Sequence, residues 1–180
     1  MTPEVRIFKI GRESESVLRN LFQHYLRDMA AWFDEVEANS DGGYSYDFST
    51  IWESYDVYLA KAGDAVAGFA LIGWAGEFLE GEEGRDVHEF FVLRGFRREG
   101  MGRAMATHLW NAYRGEWLVR VLEANAPGLA FWRAAIGSFT GASDAGASRE
   151  EGRQVSGRGW VYFRFTSTCT ATVSASWQAL

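Results

Sequence analysis

Four arginines and three glycines fall within ten residues, Arg94-Gly-Phe-Arg97-Arg98-Glu-Gly100-Met-Gly102-Arg103, in a chain whose formal net charge is -6. Glu99 is the single acid among them, so the sign of the local field reverses here and favours an anionic ligand. Glycines lack a Cβ and let a phosphate approach the backbone. The unsatisfied N–H groups and positive dipole end of a following helix would point at it. Each such contact contributes about 0.3–1 kcal/mol, and about 2 kcal/mol when partly buried, so several together hold a pyrophosphate. A solvated helix start that is merely basic would have the same composition, so the surrounding elements must separate the two readings.

The second residue with chemical potential is Glu89, a carboxylate inside the apolar run Val87-His-Glu-Phe-Phe-Val-Leu93. Burial disfavours its charged form and would raise its pKa toward the range useful for proton transfer. It could instead face a sheet edge or pair with an arginine. Side chains alternate along a strand, so His88 is expected on the face opposite Glu89.

The elements that must position these residues alternate along the chain. Val5 to Ile10 alternates apolar and polar residues and predicts a first strand. Val17, Leu18, Leu21, Phe22, Tyr25, Leu26 and Met29 recur at helical spacing, with Ser14 or Ser16 as cap. The segment Asp34 to Asp47 loses periodicity and reads as a mobile surface loop, and Phe48 to Tyr55 as a short helical turn packed through Trp52. Asp56–Lys61 and Ala65–Trp74 flank Ala62-Gly63-Asp64 and predict an antiparallel hairpin. Val87–Leu93 reads as a central strand, Gly100–Arg114 as a helix, Trp117–Leu122 as a strand, Leu129–Ala135 as a shorter helix and Trp160–Phe165 as a final strand. The chain from 166 to 180 is uncharged and rich in Ser, Thr and Ala, a terminal extension to a domain spanning 1–165. With 180 residues, one domain with one real core is expected.

Several chemistries are excluded. Gly100-Met-Gly102-Arg-Ala-Met105 lacks the third glycine of the dinucleotide fingerprint, and no Gly-Lys-Ser/Thr closes a phosphate loop. Gly141-Ala-Ser143-Asp-Ala-Gly146 is one residue too long for a nucleophile elbow. The lone Cys169 excludes an internal disulfide and a thiolate zinc cluster. His24, His88 and His108 have no metal-ligand spacing, so no metal is expected. Net negative charge argues against nucleic acid as a partner. No apolar run approaches the ~20 residues of a membrane span, and the N-terminal residues lack the features of a signal peptide. A cytoplasmic protein is the expectation.

The pattern Arg97-x-x-Gly100-x-Gly102 just after a strand resembles the acyl-coenzyme A signature of the GNAT superfamily of N-acetyltransferases. The order of elements from Val5 to Phe165 is similar to that fold. Asn125-Ala-Pro-Gly-Leu-Ala-Phe-Trp132 resembles its second characteristic block, an Asn followed by a helix with an aromatic pair. The resemblance implies a bacterial member with a mixed, mostly antiparallel central sheet, flanked by helices and splayed at the acetyl-CoA site. It implies that backbone groups near Phe91, Val92 and Leu93 pair with the pantetheine arm. It also implies that the turn Arg97, Arg98, Gly100, Met101, Gly102 and Arg103 holds the pyrophosphate, and that Asn125 and Phe131 line the groove. Glu89 would then stand near the thioester as general base.

Members of the family often carry a tyrosine on the second helix that protonates the departing thiolate. Trp132 occupies that place here, and an indole N–H cannot deliver a proton at neutral pH. Tyr113 and Tyr162 are the candidate substitutes. The implied activity is direct acetyl transfer from acetyl-CoA to a primary amine. The resemblance also makes the acidic segment bearing Asp34, Glu35, Glu37, Asp41 and Asp47 a border of the acceptor site and favours a small cationic acceptor. Trp32, Phe33, Tyr44, Tyr46 and Trp52 could form a cage for it or simply pack in the core. A non-catalytic acyl-CoA sensor of the same fold is the alternative, and a homodimer is a possible assembly.

Overall fold

The computed structural model describes residues 4–76, 84–141, 147–148 and 159–168. Its elements run β1 (Val5–Ile10), α1 (Glu15–Met29), α2 (Ile51–Ser54), β2 (Asp56–Ala62), β3 (Ala65–Trp74), β4 (Arg85–Val92), α3 (Met101–Ala112), β5 (Gly115–Leu122), α4 (Ala126–Thr140), β6 (Ala147–Ser148) and β7 (Trp160–Ser167). The strands form one sheet in the order β1-β2-β3-β4-β5-β7-β6. Every neighbouring pair is antiparallel except β4 with β5, which is parallel. The expected mixed, mostly antiparallel sheet with flanking helices is therefore the fold found.

Alternation along the strands builds a core on each face. Val57, Leu59, Phe69, Leu71 and Phe91 meet the stripe Leu18, Leu21, Phe22 and Leu26 of α1. Tyr58, Ala60, Ala70, Ile72 and Val92 face the other way, where α3 brings Met105, Leu109 and Trp110 and α4 brings Trp132 and Ile136. β3 is buried over both faces, which is why its sequence reads as a nearly continuous apolar run. Small residues at 60, 67 and 70 leave room for the bulky side chains of α3.

Several boundaries differ from the sequence reading, most clearly at α4 and β7. The second C-terminal helix is longer than Leu129–Ala135 because Asn125 caps its start, accepting from the Gly128 N–H at 3.0 Å, and Gly141 at φ 72 ends it. The last strand continues past Phe165 through Thr166 and Ser167. The Ser167 hydroxyl donates to the Trp110 carbonyl at 2.6 Å, in a buried bond that ties the strand end to α3. Cys169 and the rest of the C-terminal extension lie outside the described residues.

The segment between α1 and α2 is pinned rather than freely projecting. The Gln23 amide donates to the Tyr44 carbonyl at 2.9 Å and accepts from the Tyr44 N–H at 2.8 Å, and Trp52 donates its indole N–H to Glu15 at 2.9 Å. Among the described residues, no helix is long and apolar enough to cross a membrane.

Candidate active site

β4 and β5 pair through only three positions, Arg85 with Trp117, Asp86 with Leu118 and Val87 with Val119. β4 then continues to Val92 and β5 to Leu122 without pairing, so the sheet opens between them. Opposite β3, Leu71 pairs with Glu89 and Ile72 with Val87, which leaves His88 as the extra residue of a bulge. Its consequence corrects the expected alternation: His88 and Glu89 both face the α1 side. His88 stacks on Tyr55 with ring centroids 4.4 Å apart, and Glu89 meets Tyr25 of α1. A cavity of about 450 Å³ occupies the opening, lined by both residues, by α1 and the segment after it, and by β5, Asn125, Trp132 and Trp160.

Glu89 accepts a hydrogen bond from the Tyr25 hydroxyl and a longer one, 3.4 Å, from the Tyr46 hydroxyl. Burial pushes its carboxyl above the usual value, and the bond from Tyr25, the positive field of His88 and the bond from Tyr46 offset this in part. Burial and the Glu89 charge push both phenols up, so they remain donors across the physiological range. Beside them, Arg120 of β5 donates to the buried Asp86 of β4 at 2.5 Å, pinning the two strands where they part. His88 bonds the Tyr55 hydroxyl through Nε2 at 3.0 Å.

The turn leading to α3 is built by its backbone. Arg98 at φ 66 and Gly100 at φ 84 are left-handed, a conformation that glycine adopts freely and arginine only under strain. Gly100 is the N-cap of α3 and offers no side-chain cap, so the first-turn N–H groups of that helix are left for an external acceptor. A Cβ on Gly102 would stand 3.0 Å from the Phe131 ring and 3.8 Å from Val92. Gly102 is therefore what lets α3 and α4 approach beside the open strand.

The sequence-selected residues divide by what they offer. Arg98 and Arg103 are exposed at the turn. Arg97 is engaged internally, donating to the Val92 carbonyl at 2.7 Å and to Asp28 of α1 at 2.6 Å, while Arg94 grips the same carboxylate. Burial raises the Asp28 carboxyl, but the two guanidiniums outweigh it and hold the group below its usual value. Met101 is buried in the α3–α4 core and Phe91 against α1, so both can serve a ligand only through their backbone. The Leu93 N–H is bonded to the Ala67 carbonyl at 2.8 Å, on the β3 side. Asn125 lines the cavity, with its Oδ1 committed to the helix cap. Phe131 stacks on Phe90 at 5.9 Å but is not among the residues that line the cavity.

Trp132 lines the cavity and packs edge-on against Phe90 at 4.8 Å. The proposed substitutes do not reach it. Tyr113 is bound to Asp56 and Tyr58 beside β2, and Tyr162 is buried with Ala75 and Leu118. The phenols at the site are Tyr25 and Tyr46. Tyr25 was hidden as one more apolar position in the α1 stripe, and nothing in its spacing distinguishes it. Of the five loop aromatics, Trp32, Phe33 and Tyr46 line the cavity, while Tyr44 and Trp52 pack against α1. The acids Asp34, Glu35, Glu37, Asp41 and Asp47 are exposed and do not line it.

The family model of the acetyltransferase (GNAT) family matches residues 18–137, two thirds of the chain. No curated protein sequence matches it. Among solved structures, the chain is similar to the ribosomal-protein-S18-alanine N-acetyltransferase of Escherichia coli, at 12% identity over 94% of this chain and 98% of that one with a TM-score of 0.59. It is similar to the spermidine N-acetyltransferase of Vibrio cholerae, solved with CoA and spermine, at 10% identity over 91% and 95% with a TM-score of 0.60. It also resembles a GNAT-family protein from Desulfovibrio desulfuricans, at 15% identity over 91% and 99% with a TM-score of 0.59. At such identities the structural likeness is one of fold alone. The family match, which spans the opened β4–β5 pair and the glycine-led start of α3, shows that the chain belongs to the acetyltransferase (GNAT) family.

Proposed function

We propose that the protein transfers an acetyl group from acetyl-CoA directly to the primary amine of a small cationic molecule, with Glu89 as general base. The observation that carries this reading is the position of Glu89, a partly buried carboxylate facing the cavity beside the released edge of β4. The residues fit coenzyme A. The unpaired edge of β4 offers backbone groups to an extended pantetheine arm. The uncapped start of α3, with Arg98 and Arg103 exposed next to it, suits a pyrophosphate. Bound acetyl-CoA supplies an electrophilic acetyl carbon and a thiolate leaving group.

The chain's own residues supply the proton chemistry. An alkylamine with a pKa of about 10.4 pays ~4.6 kcal/mol to become neutral at pH 7, at about 1.36 kcal/mol per unit. A carboxylate whose proton affinity is raised by burial takes that proton more readily than an exposed one. Tyr25 and Tyr46 hold the carboxylate in place from α1 and the following segment. Trp132 supplies shape and a dry wall rather than a proton. A thiolate of pKa about 8.5 departs without one, so the missing acid slows transfer without preventing it.

The test of direct transfer is kinetic. The protein with acetyl-CoA alone should release no stoichiometric burst of free thiol, and thiol release should require a primary amine. An acetylated protein formed without acceptor would sink the direct route.

A further inference from the structure

Among the described residues, Glu89 is the only carboxylate that lines the cavity and Arg120 the only Lys or Arg. Arg120 is paired with the buried Asp86. The acids of the α1–α2 segment that favoured a small cationic acceptor are exposed and do not line the cavity. The wall beyond Glu89 is made instead by Met29, Trp32, Phe33, Val36, Tyr46 and Trp160. Phe33 and Trp160, 127 positions apart in sequence, meet with ring centroids 6.1 Å apart and join the α1–α2 segment to β7 across the cavity.

We infer that the acceptor is an arylalkylamine: one ammonium at Glu89 and a flat apolar body between the aromatic walls. This deepens the proposed amine acetylation and rests on it. Among the described residues a single anion lines the cavity, and it matches a single cationic centre. The far ammonium of a diamine or polyamine would have to enter an apolar wall without a counter-charge, which costs more than leaving it in water. An aromatic body gains from the same wall by apolar burial and offset or edge-on ring contacts.

The experiment measures acetyl-CoA-dependent thiol release by the full chain with 2-phenylethylamine and tryptamine against ethanolamine, putrescine and spermidine. The expected result is a kcat/KM at least about 10-fold higher for the two aryl amines. Equal or better turnover of putrescine or spermidine overturns the inference while leaving amine acetylation standing. Binding of acetyl-CoA with no turnover of any amine overturns the underlying reading and this one with it.

Variants of the wall give a second readout. Trp32→Ala and Phe33→Ala should each raise KM for 2-phenylethylamine about 10-fold, with a clearly smaller loss for ethanolamine. Equal losses for both amines would reveal a merely structural role and overturn the assignment. Val36→Glu, which adds an anion to the wall, should shift preference toward putrescine by about 10-fold, and an unchanged preference counts against the inference.

Discussion

The Tyr25 hydroxyl donates to the Glu89 carboxylate, joining α1 to β4 across 64 positions of sequence at the place where the sheet opens. The bond fixes where the base stands and sets how readily it holds a proton, so its removal has a predictable sign.

Tyr25→Phe removes a donor that favours the charged carboxylate, and the Glu89 pKa should rise further. The acid limb of the kcat/KM profile should therefore move to higher pH, with activity regained as the pH is raised further. A limb that stays in place would separate the phenol from the base.

Glu89→Gln should lower kcat by about 10²–10⁴-fold if the carboxylate is the base. Because burial raises the folded-state pKa, the folded chain binds this proton more tightly than the unfolded chain. The stability from Glu89 is thus full below its unfolded pKa and falls as pH rises through the folded value. The glutamine variant should melt at the same or a higher temperature than the parent at pH 7–8. A thermal scan at pH 5 and pH 8 checks that the difference grows with pH.

Asp28→Asn should loosen the clamp on Arg94 and Arg97 that ties the turn to α1. Both guanidiniums are well exposed, so the stability cost is small. The effect expected on function is a several-fold rise in the KM for acetyl-CoA. The Asp28 pKa is lowered in the folded state, so its contribution is present above the unfolded pKa and disappears as pH falls through the folded value. Urea melts at pH 7 and pH 3 should show the parent's advantage at the first and its shrinkage at the second.

The two glycines of the turn should respond differently. Gly100→Ala meets nothing within 4 Å but must hold φ 84, which costs about 1 kcal/mol and leaves the phosphate site open. Gly102→Glu puts a Cβ 3.0 Å from Phe131 and a negative charge at the start of α3. Calorimetric titration with acetyl-CoA should show modestly weakened binding for the first and no binding for the second.

Much of the fold was legible because its elements have strong local periods. The α1 stripe, the hairpin around Gly63 and the glycine-led start of α3 are found where the pattern predicts them. The helix expected over Leu129–Ala135 is longer because packing through Ile136 and Phe139 carries α4 on to Gly141. His88 was expected opposite Glu89 because a bulge has no mark in this sequence: it arises from the register of β4 against β3. Arg97 read as a ligand for phosphate, and only its neighbours Asp28 and Val92 reveal that its charge is engaged within the chain.

The sequence by itself determined the local chemistry: an arginine-rich, glycine-punctuated turn between a strand and a helix, a carboxylate in an apolar strand, and a tryptophan where a proton donor is usual. These depend on residue type and short-range spacing, which a chain carries before it folds. The tertiary structure alone decided which groups share the cavity. It brought Tyr25 and Tyr46 to Glu89, turned the acidic segment outward, and set Phe33 against Trp160. Those relations follow from strand register and from packing between distant segments, and no local pattern encodes either.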